Sequence, residues 1–205
     1  MKQFILVILL LTTLQVNAQL GIKFLHFNPT GDQGLLFEKR FTAELLWINE
    51  FDEDEHNLRG RFGLSYIPLE ARMDTFPSYA TVTGGNGTKV LPGYEIYEKY
   101  NMGYIFVGMD WAFVHKDPFF AYLGADVLVG GINMKTEAYY ETYTHQNFEG
   151  GQYLGGLRFR AGAQYMLTQR FSVFGELSRS YYLISETGGQ SHYDYGLGVL
   201  YMFRD

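Results

Sequence analysis

The chain has 205 residues, enough for one domain, and carries 16 basic and 22 acidic residues, a formal net charge of −6. This balance argues against a nucleic-acid partner, because an acidic surface repels the phosphate backbone. The sequence contains no cysteine, which excludes a disulfide framework, a thiolate nucleophile, a thiolate metal site and a lipid-modified N-terminal cysteine.

The N-terminus has the three parts of a secretion signal. Lys2 provides the positive charge, Phe4–Leu11 is an uninterrupted apolar stretch, and Val16-Asn17-Ala18 has the small-residue form of a cleavage site. The apolar stretch is shorter than the roughly 20 residues that a membrane-spanning helix needs. We therefore predict a signal peptide at 1–18, with an uncleaved anchor as the alternative, followed by a single β-barrel domain at 19–205.

The rest of the chain contains eight segments in which an apolar or aromatic face alternates with a polar or small one. Side chains alternate across a strand, so this pattern predicts half-apolar strands. The predicted strands lie at 20–27, 35–48, 57–67, 101–113, 118–129, 152–167, 170–184 and 191–203. The alternation is clearest in the last strand and least certain in the first, where Leu25 and Phe27 would point to the polar side.

The connections between the predicted strands alternate in length. Those after strands two, four and six are short, whereas 68–100 and 130–151 are long. Outer-membrane barrels have short periplasmic turns and long external loops, and only a closed barrel leaves no unpaired backbone in lipid. The predicted fold class is therefore all-β, an eight-stranded antiparallel up-and-down transmembrane β-barrel in the outer membrane of a Gram-negative bacterium. A soluble β-sandwich is the alternative.

Twelve charged residues fall on the predicted inward face. They are Lys23, Glu38, Arg40, Glu44, Arg59, Arg61, Asp110, Asp126, Arg158, Arg160, Glu176 and Asp194. An eight-stranded barrel has an interior that its own side chains fill, and buried charges must be paired. A charge-selective pore would show one dominant sign, whereas six positive and six negative residues predict a plugged, salt-bridged lumen.

Two surface features are candidates for binding protein partners. The first is an acidic run in a predicted periplasmic turn, Asp52, Glu53, Asp54 and Glu55, which could equally be a solvated charged turn. The second is a set of tyrosines in the long connections, because tyrosine offers contact area at little entropic cost. They are Tyr79, Tyr94, Tyr97, Tyr139, Tyr140 and Tyr143. The alternative is that these rings pack on each other or belong to strands that extend above the membrane. The glycine cluster at 84–87 predicts a hairpin tip.

The sequence contains weak signals for catalysis. Ser191 and His192 lie near Asp194, but adjacent residues of a strand point to opposite faces and cannot act together. The five histidines show no spacing typical of metal ligands. We predict no catalytic residues, no metal and no cofactor.

The signal junction Ala18-Gln19, the eight amphipathic strands and the closing Tyr201-Met202-Phe203 carry a resemblance that covers the whole mature chain. The chain resembles the small eight-stranded outer-membrane barrels of the OmpA/OmpX type, in the form common in Bacteroidetes. It departs from that pattern in that Phe203 is followed by Arg204-Asp205, whereas the usual assembly signal ends in an aromatic residue. Within the group it is similar to the PorG/PorT-like accessory barrels of the type IX secretion system.

The resemblance implies three kinds of partner. These are outer-membrane lipid, the barrel assembly machinery during insertion, and protein partners in a secretion or surface-assembly complex. We therefore predict a non-enzymatic scaffold that binds proteins through its external loops or periplasmic rim. The alternatives are a narrow channel for small solutes and a lipid-modifying enzyme.

Overall fold

The structure, a computed structural model, describes residues 18–50, 57–84, 87–140, 143–185 and 188–203. The predicted signal peptide, apart from Ala18, therefore lies outside the described residues. The elements in chain order are β1 (Ala18–Thr30), α1 (Asp32–Leu36), β2 (Arg40–Glu50), β3 (Leu58–Leu69), β4 (Phe76–Gly84), β5 (Gly87–Lys116), β6 (Phe119–Tyr140), β7 (Tyr143–Met166), β8 (Phe171–Ile184) and β9 (Gly188–Phe203). Within the described residues, no helix is long and apolar enough to cross a membrane.

Eight of the strands close into a barrel. Each is antiparallel to its neighbours in the order β3-β2-β1-β9-β8-β7-β6-β5, and β3 pairs with β5 to complete the cylinder. That last pairing runs from Leu58 opposite Trp111 to Leu69 opposite Tyr100. Strand β4 pairs with β5 outside the cylinder. The predicted eight-stranded antiparallel barrel is confirmed.

The outside of the barrel is apolar because the period-two pattern sends the apolar face of each strand outward. In β8 the side chains alternate between exposed and covered along the whole strand from Phe171 to Ile184. The exposed set includes Ile105, Val107, Trp111, Phe113, Leu123, Val127, Val129, Leu157, Phe159, Leu177, Leu197 and Phe203. A continuous apolar belt of this size is unfavourable in water and is favoured against lipid chains.

The long connections of the sequence analysis are largely strand. Strands β5, β6 and β7 have 30, 22 and 24 residues, more than the roughly 9–11 that cross a bilayer. Together with β4 they continue past one end of the barrel, which we call the loop end; the opposite end is the turn end. The part of β4–β7 beyond the barrel is here named the extension. The expectation that 68–100 and 130–151 are loops is therefore wrong for most of their length.

The loop end carries the tip of the β4–β5 hairpin and the short helix that precedes β2. Gly84 pairs with Gly87, and Gly87 has a φ of 109°, so a hairpin tip lies where the glycine cluster predicted it. Strand β2 begins at Arg40 rather than at residue 35, because residues 35 and 36 belong to α1 and Phe37 forms an isolated bridge with Ala71. The segment around α1 covers the barrel mouth: Tyr182 Oη donates to Gln33 Oε1 at 2.5 Å, and the rings of Phe37 and Tyr100 are 4.4 Å apart.

The barrel interior is charged in the middle and has buried apolar side chains on both sides, among them Leu46, Ile48, Phe174 and Leu200 nearer the turn end. A charged layer lies in the middle of the bore. An apolar layer lies toward the loop end, and its buried members include Leu25, Phe27, Ile67, Met102, Phe106, Leu128, Ile132, Leu154 and Ile184. Leu25 and Phe27 point inward and form part of this apolar layer. The first strand therefore follows the predicted alternation, although its inward side is apolar here rather than polar.

Candidate functional site: the charged barrel interior and the extension

All eight barrel strands contribute to the charged layer. Nine side chains form its network: Lys23, Glu44, Arg59, Arg61, Asp110, Asp126, Arg158, Arg160 and Glu176. Asp194 of β9 lies at its edge. Each of these residues is at most 5% exposed. Burial of an isolated charge costs several kcal/mol, so the arrangement of partners decides whether such a layer is tolerated.

Glu176 of β8 joins four strands through its two carboxylate oxygens. Lys23 Nζ lies 2.8 Å from Oε1, and Arg61 Nη1 lies 2.5 Å from Oε2. Tyr122 donates its hydroxyl to Oε2 at 3.1 Å, and Arg160 Nη1 approaches the same atom at 3.4 Å. A carboxylate with this many donors is held in one position by strands from opposite walls of the barrel.

Two neighbouring arginines of β7 connect the remaining carboxylates. Arg158 binds Glu44 at 2.6 Å and Asp126 at 2.7 Å. Arg160 binds Asp110 at 2.6 Å and the other oxygen of Asp126 at 2.7 Å. These residues alternate with outward-facing Phe159, so the same period-two pattern that covers the lipid face also aims both guanidinium groups into the bore.

An aromatic ring separates the network from the apolar layer. The guanidinium carbon of Arg158 lies 4.1 Å from the centroid of the Phe106 ring, and that of Arg61 lies 5.5 Å from it. Gly63 makes room for the ring, since a Cβ at that position would fall 2.4 Å from Phe106 Cζ. The ring thus contacts charged groups with its faces while packing into the apolar layer.

Asp194 and His192 lie where the two layers meet. Asp194 accepts a hydrogen bond from Ser178 at 3.1 Å and lies 3.3 Å from His192 Nε2. The His192 ring is buried between Phe27 and Tyr182. Ser191 is on the opposite face of β9, with its hydroxyl 2.7 Å from that of Thr30. Ser191 and His192 therefore point apart, as adjacent strand residues must, and do not form a nucleophile–base pair.

Two of the twelve predicted lumen residues lie outside the bore, which corrects their assignment. Glu38 is exposed, and Arg40 is partly exposed and binds Glu70 at 3.0 Å. Strand β2 begins only at Arg40, so Glu38 lies before the alternating pattern, and Arg40 itself lies at the loop-end rim, opposite Phe27 of β1. Both residues belong to the loop-end surface.

Most of the predicted contact tyrosines are involved in packing within the extension. The rings of Tyr94 and Tyr139 stack with centroids 5.0 Å apart, and the Tyr140 hydroxyl lies 3.4 Å from Ser78 Oγ. Burial, together with the Glu95 carboxylate, raises the pKa of Tyr97 to about 12. These contacts support the alternative that the rings belong to extended strands.

Of the remaining candidate partner-binding residues, one is exposed and the others have side chains that the structure does not describe. Tyr79 of β4 is 69% exposed and faces away from the barrel. Asp52, Glu53, Asp54 and Glu55 lie outside the described residues, as does the side chain of Tyr143. Sequence reasoning missed β4 itself, although the alternation of Phe76, Ser78 and Ala80 with Tyr79 and Thr81 before the glycine tip was a signal for it.

Comparison with known proteins identifies the class by its fold. No protein-family model matches the chain, and a search of curated proteins found no match. Neisserial surface protein A is similar in structure with a TM-score of 0.58 and 12% identity, over 90% of this chain and 95% of that protein. The chain therefore has the fold of the small eight-stranded outer-membrane barrels, and with its apolar belt it is an outer-membrane protein.

Two further solved structures match over almost their whole length. The attachment invasion locus protein Ail of Yersinia pestis has a TM-score of 0.47 and 13% identity, covering 92% of this chain and 99% of Ail. The outer membrane protein OprG of Pseudomonas aeruginosa has a TM-score of 0.46 and 12% identity, covering 93% of this chain and 97% of OprG.

Proposed function

We propose that this protein is a non-enzymatic scaffold whose barrel is closed to solutes and whose extension holds a protein partner. The partner would belong to a secretion or surface-assembly complex in which this chain is an accessory subunit. The observation that carries the proposal is the free edge of β4. Within the described residues, β4 pairs with β5 and with no other strand, which leaves one row of its backbone groups open.

The chemistry of β4 suits the addition of another strand. Its nine residues, FPSYATVTG, contain no charge, and Pro77 is its single edge-protecting residue. Natural edge strands are usually blunted by lysine, proline or a bulge, because an unprotected edge recruits other strands. The exposed row of Tyr79, Thr81 and Thr83 would supply side-chain contacts beside the new backbone hydrogen bonds. An extended segment of a partner protein fits this edge.

The barrel interior supports the role of an anchor rather than a conduit. The salt-bridged layer joins seven of the eight barrel strands, a hydrogen bond from Ser178 to Asp194 adds β9, and the apolar layer with α1 lies above it at the mouth. A rigid barrel holds the extension at a fixed height above the membrane. The type IX secretion system, whose accessory barrels this chain resembles in sequence, is one complex in which such a subunit would serve.

Photocrosslinking at the β4 edge tests this proposal. A photoreactive amino acid at Thr83 of the full-length protein, irradiated in the native outer membrane, is expected to give a discrete protein adduct. Thr81→Lys, which places a charge on the edge strand, is expected to reduce that adduct at least fivefold, because a lysine on an edge strand disfavours the addition of another strand.

The matched control is Leu35→Lys, which adds the same charge at an exposed position of the loop end away from β4. It is expected to leave the adduct unchanged. An absence of any adduct at Thr83, or an equal loss in both lysine variants, would contradict docking at the β4 edge.

A further inference from the structure

The barrel wall formed by β7, β8 and β9 carries an exposed cation. Arg179 of β8 faces outward, and its neighbours in register are Phe159 on β7 and Tyr193 on β9. Leu177 and Tyr181, the outward residues before and after it along β8, are 64% and 47% exposed. Where these three strands pair with one another, no other outward-facing residue that the structure describes is charged. Arg179 is therefore a cation surrounded by apolar and aromatic side chains.

The position of Arg179 along β8 places it near the external boundary of the membrane. Phe171 begins β8 at the turn end, where its ring packs against that of Tyr201. At about 3.3 Å per residue and a tilt of about 40°, Arg179 lies roughly 20 Å above Phe171 along the membrane normal. The apolar band of an outer-membrane barrel is about 25 Å tall, and its longer loops lie on the external side. Arg179 therefore lies within the band, and its side chain can reach the phosphates of the external leaflet.

Arg179 has no acidic partner among the described residues. Its guanidinium carbon lies 5.2 Å from the centroid of the Tyr181 ring, and the guanidinium forms no salt bridge within the described part of the chain. A ring face attracts a cation but does not neutralise it. Because a charge on the lipid face is costly in proportion to its depth, an anion from the membrane is favoured beside it. The planar guanidinium matches a phosphate, which it can bind through two parallel hydrogen bonds.

A groove of about 530 Å³ begins at Tyr181 and extends along the same wall toward the loop end. Gly155, Leu183 and Gly189 lie opposite one another across it. This row lies roughly 10 Å above Arg179, at the level of lipid headgroups, at about 3.3 Å per residue. A Cβ at Gly155 would have no atom within 4 Å, and one at Gly189 would meet Leu183 Cδ2 at 3.8 Å. Packing requires neither glycine, and such glycines in strands indicate a place where another molecule approaches the backbone closely.

The other residues of the groove carry groups that suit a sugar. The hydroxyls of Thr30 and Ser191 are 2.7 Å apart, and Asp32 and Gln190 also line the groove. Hydroxyl, carboxylate and amide groups can donate to or accept from sugar hydroxyls. The ring of Tyr181 offers an apolar face with a polar tip. A cation just inside the membrane, with this polar surface just above it, matches a phosphorylated sugar that carries acyl chains.

We propose that this wall binds a phosphorylated glycolipid of the external leaflet, with the chemistry of lipid A. Arg179 binds a phosphate of the sugar, the sugar lies in the groove beside Tyr181, and acyl chains lie over Leu177 and Phe159. The charge and depth of Arg179 select this occupant, because the external leaflet of a Gram-negative outer membrane is built from such glycolipids. The site is separate from the β4 edge and does not depend on the proposed scaffold function.

Native mass spectrometry of the full-length protein with purified lipids tests the proposal. Lipid A is expected to be retained about fivefold better than the same lipid after removal of its phosphates, the effect of one interfacial cation. Arg179→Gln is expected to abolish that difference. Arg179→Lys keeps the charge but loses the planar fork, and is expected to lower lipid A binding about twofold. The matched control is Arg170→Gln, which removes an exposed arginine at the turn end and is expected to leave lipid A binding unchanged.

Gly155→Ile tests the groove apart from the charge, since its side chain would fill the space beside Leu183. It is expected to reduce the binding of lipid A and to leave that of phosphatidylglycerol, which has a phosphate and no sugar, unchanged. The control is Gly103→Ile, a substitution in β5 outside the groove. A Cβ at Gly103 would meet its nearest atoms, Ser65 O and Tyr66 Cδ2, at 3.8 and 3.9 Å. This variant is expected to bind lipid A as the unmodified protein does.

Four results would overturn the proposal. One is equal retention of lipid A with and without its phosphates. A second is an equal loss in Arg179→Gln and Arg170→Gln, which would mean that any exposed arginine contributes. The third is equal retention of lipid A and phosphatidylglycerol by the unmodified protein, and the fourth is an equal loss in the two isoleucine variants. A heat-modifiability gel identifies any variant that fails to form the barrel, and Arg179→Gln, which changes an exposed side chain, then decides the question.

Discussion

Glu176→Gln is expected to lower the free energy of unfolding by about 3–5 kcal/mol, the cost of leaving buried charges without their partner. The amide keeps the size of the carboxylate but removes its charge. Lys23 at 2.8 Å and Arg61 at 2.5 Å would then face a neutral group in a closed interior. Equilibrium unfolding in urea, in phospholipid vesicles and followed by tryptophan fluorescence, measures the change.

Glu70→Gln is the matched control, because it removes the same charge from an ion pair at the loop-end surface. Glu70 binds Arg40 at 3.0 Å, but both side chains are well exposed, and such pairs contribute about 0–1 kcal/mol. Equal and small losses in the two variants would mean that the charged layer does not stabilise the barrel. A loss confined to Glu176→Gln supports the network that the structure shows.

Phe106→Ala is expected to destabilise the barrel by about 3–5 kcal/mol, as the removal of a buried aromatic ring usually does. The ring is almost completely buried, contacts the guanidinium groups of Arg61 and Arg158, and fills the space beside Gly63. Its loss leaves a cavity between the charged and apolar layers. The same urea titration gives the magnitude.

The neighbouring residue supplies the control. Val107 points to the lipid, and in Val107→Ala acyl chains replace the missing methyl groups, since lipid tails are as apolar as the side chain they contact. We expect a change of less than about 1 kcal/mol. A cost at Val107 equal to that at Phe106 would contradict the assignment of inner and outer faces in β5.

The strand faces could be predicted from sequence because a strand has a strict period of two. Arg158 and Arg160 flank Phe159, and the structure places the two arginines in the bore and the phenylalanine on the lipid face. In each group of three consecutive strand residues, the residue types alone indicate which side chains face the bore and which face the lipid. The number of strands followed from repeating this pattern with connections of alternating length.

The prediction did not extend to features that depend on contacts between distant segments. The apolar layer around Phe27 and Ile132 is formed by residues from strands far apart in sequence, so no single strand reveals it. Glu38 and Arg40 were predicted to line the bore because the alternation of β2 continues in the sequence back to residue 38, and nothing local shows that the strand begins only at Arg40. The tyrosines of the extension carry the same alternation as the barrel strands, but sequence alone does not show where the membrane ends.

Planar-bilayer recording shows whether the barrel is closed to ions and small solutes. The purified protein, its insertion verified by heat-modifiability in the same preparation, is expected to give no steady unitary conductance in symmetric salt. Buried ion pairs such as Arg160 with Asp110 occupy the middle of the bore, and the apolar layer lies above them. A reproducible unitary conductance, altered in size or ion selectivity by Glu176→Gln, would contradict a closed barrel and support a narrow channel instead.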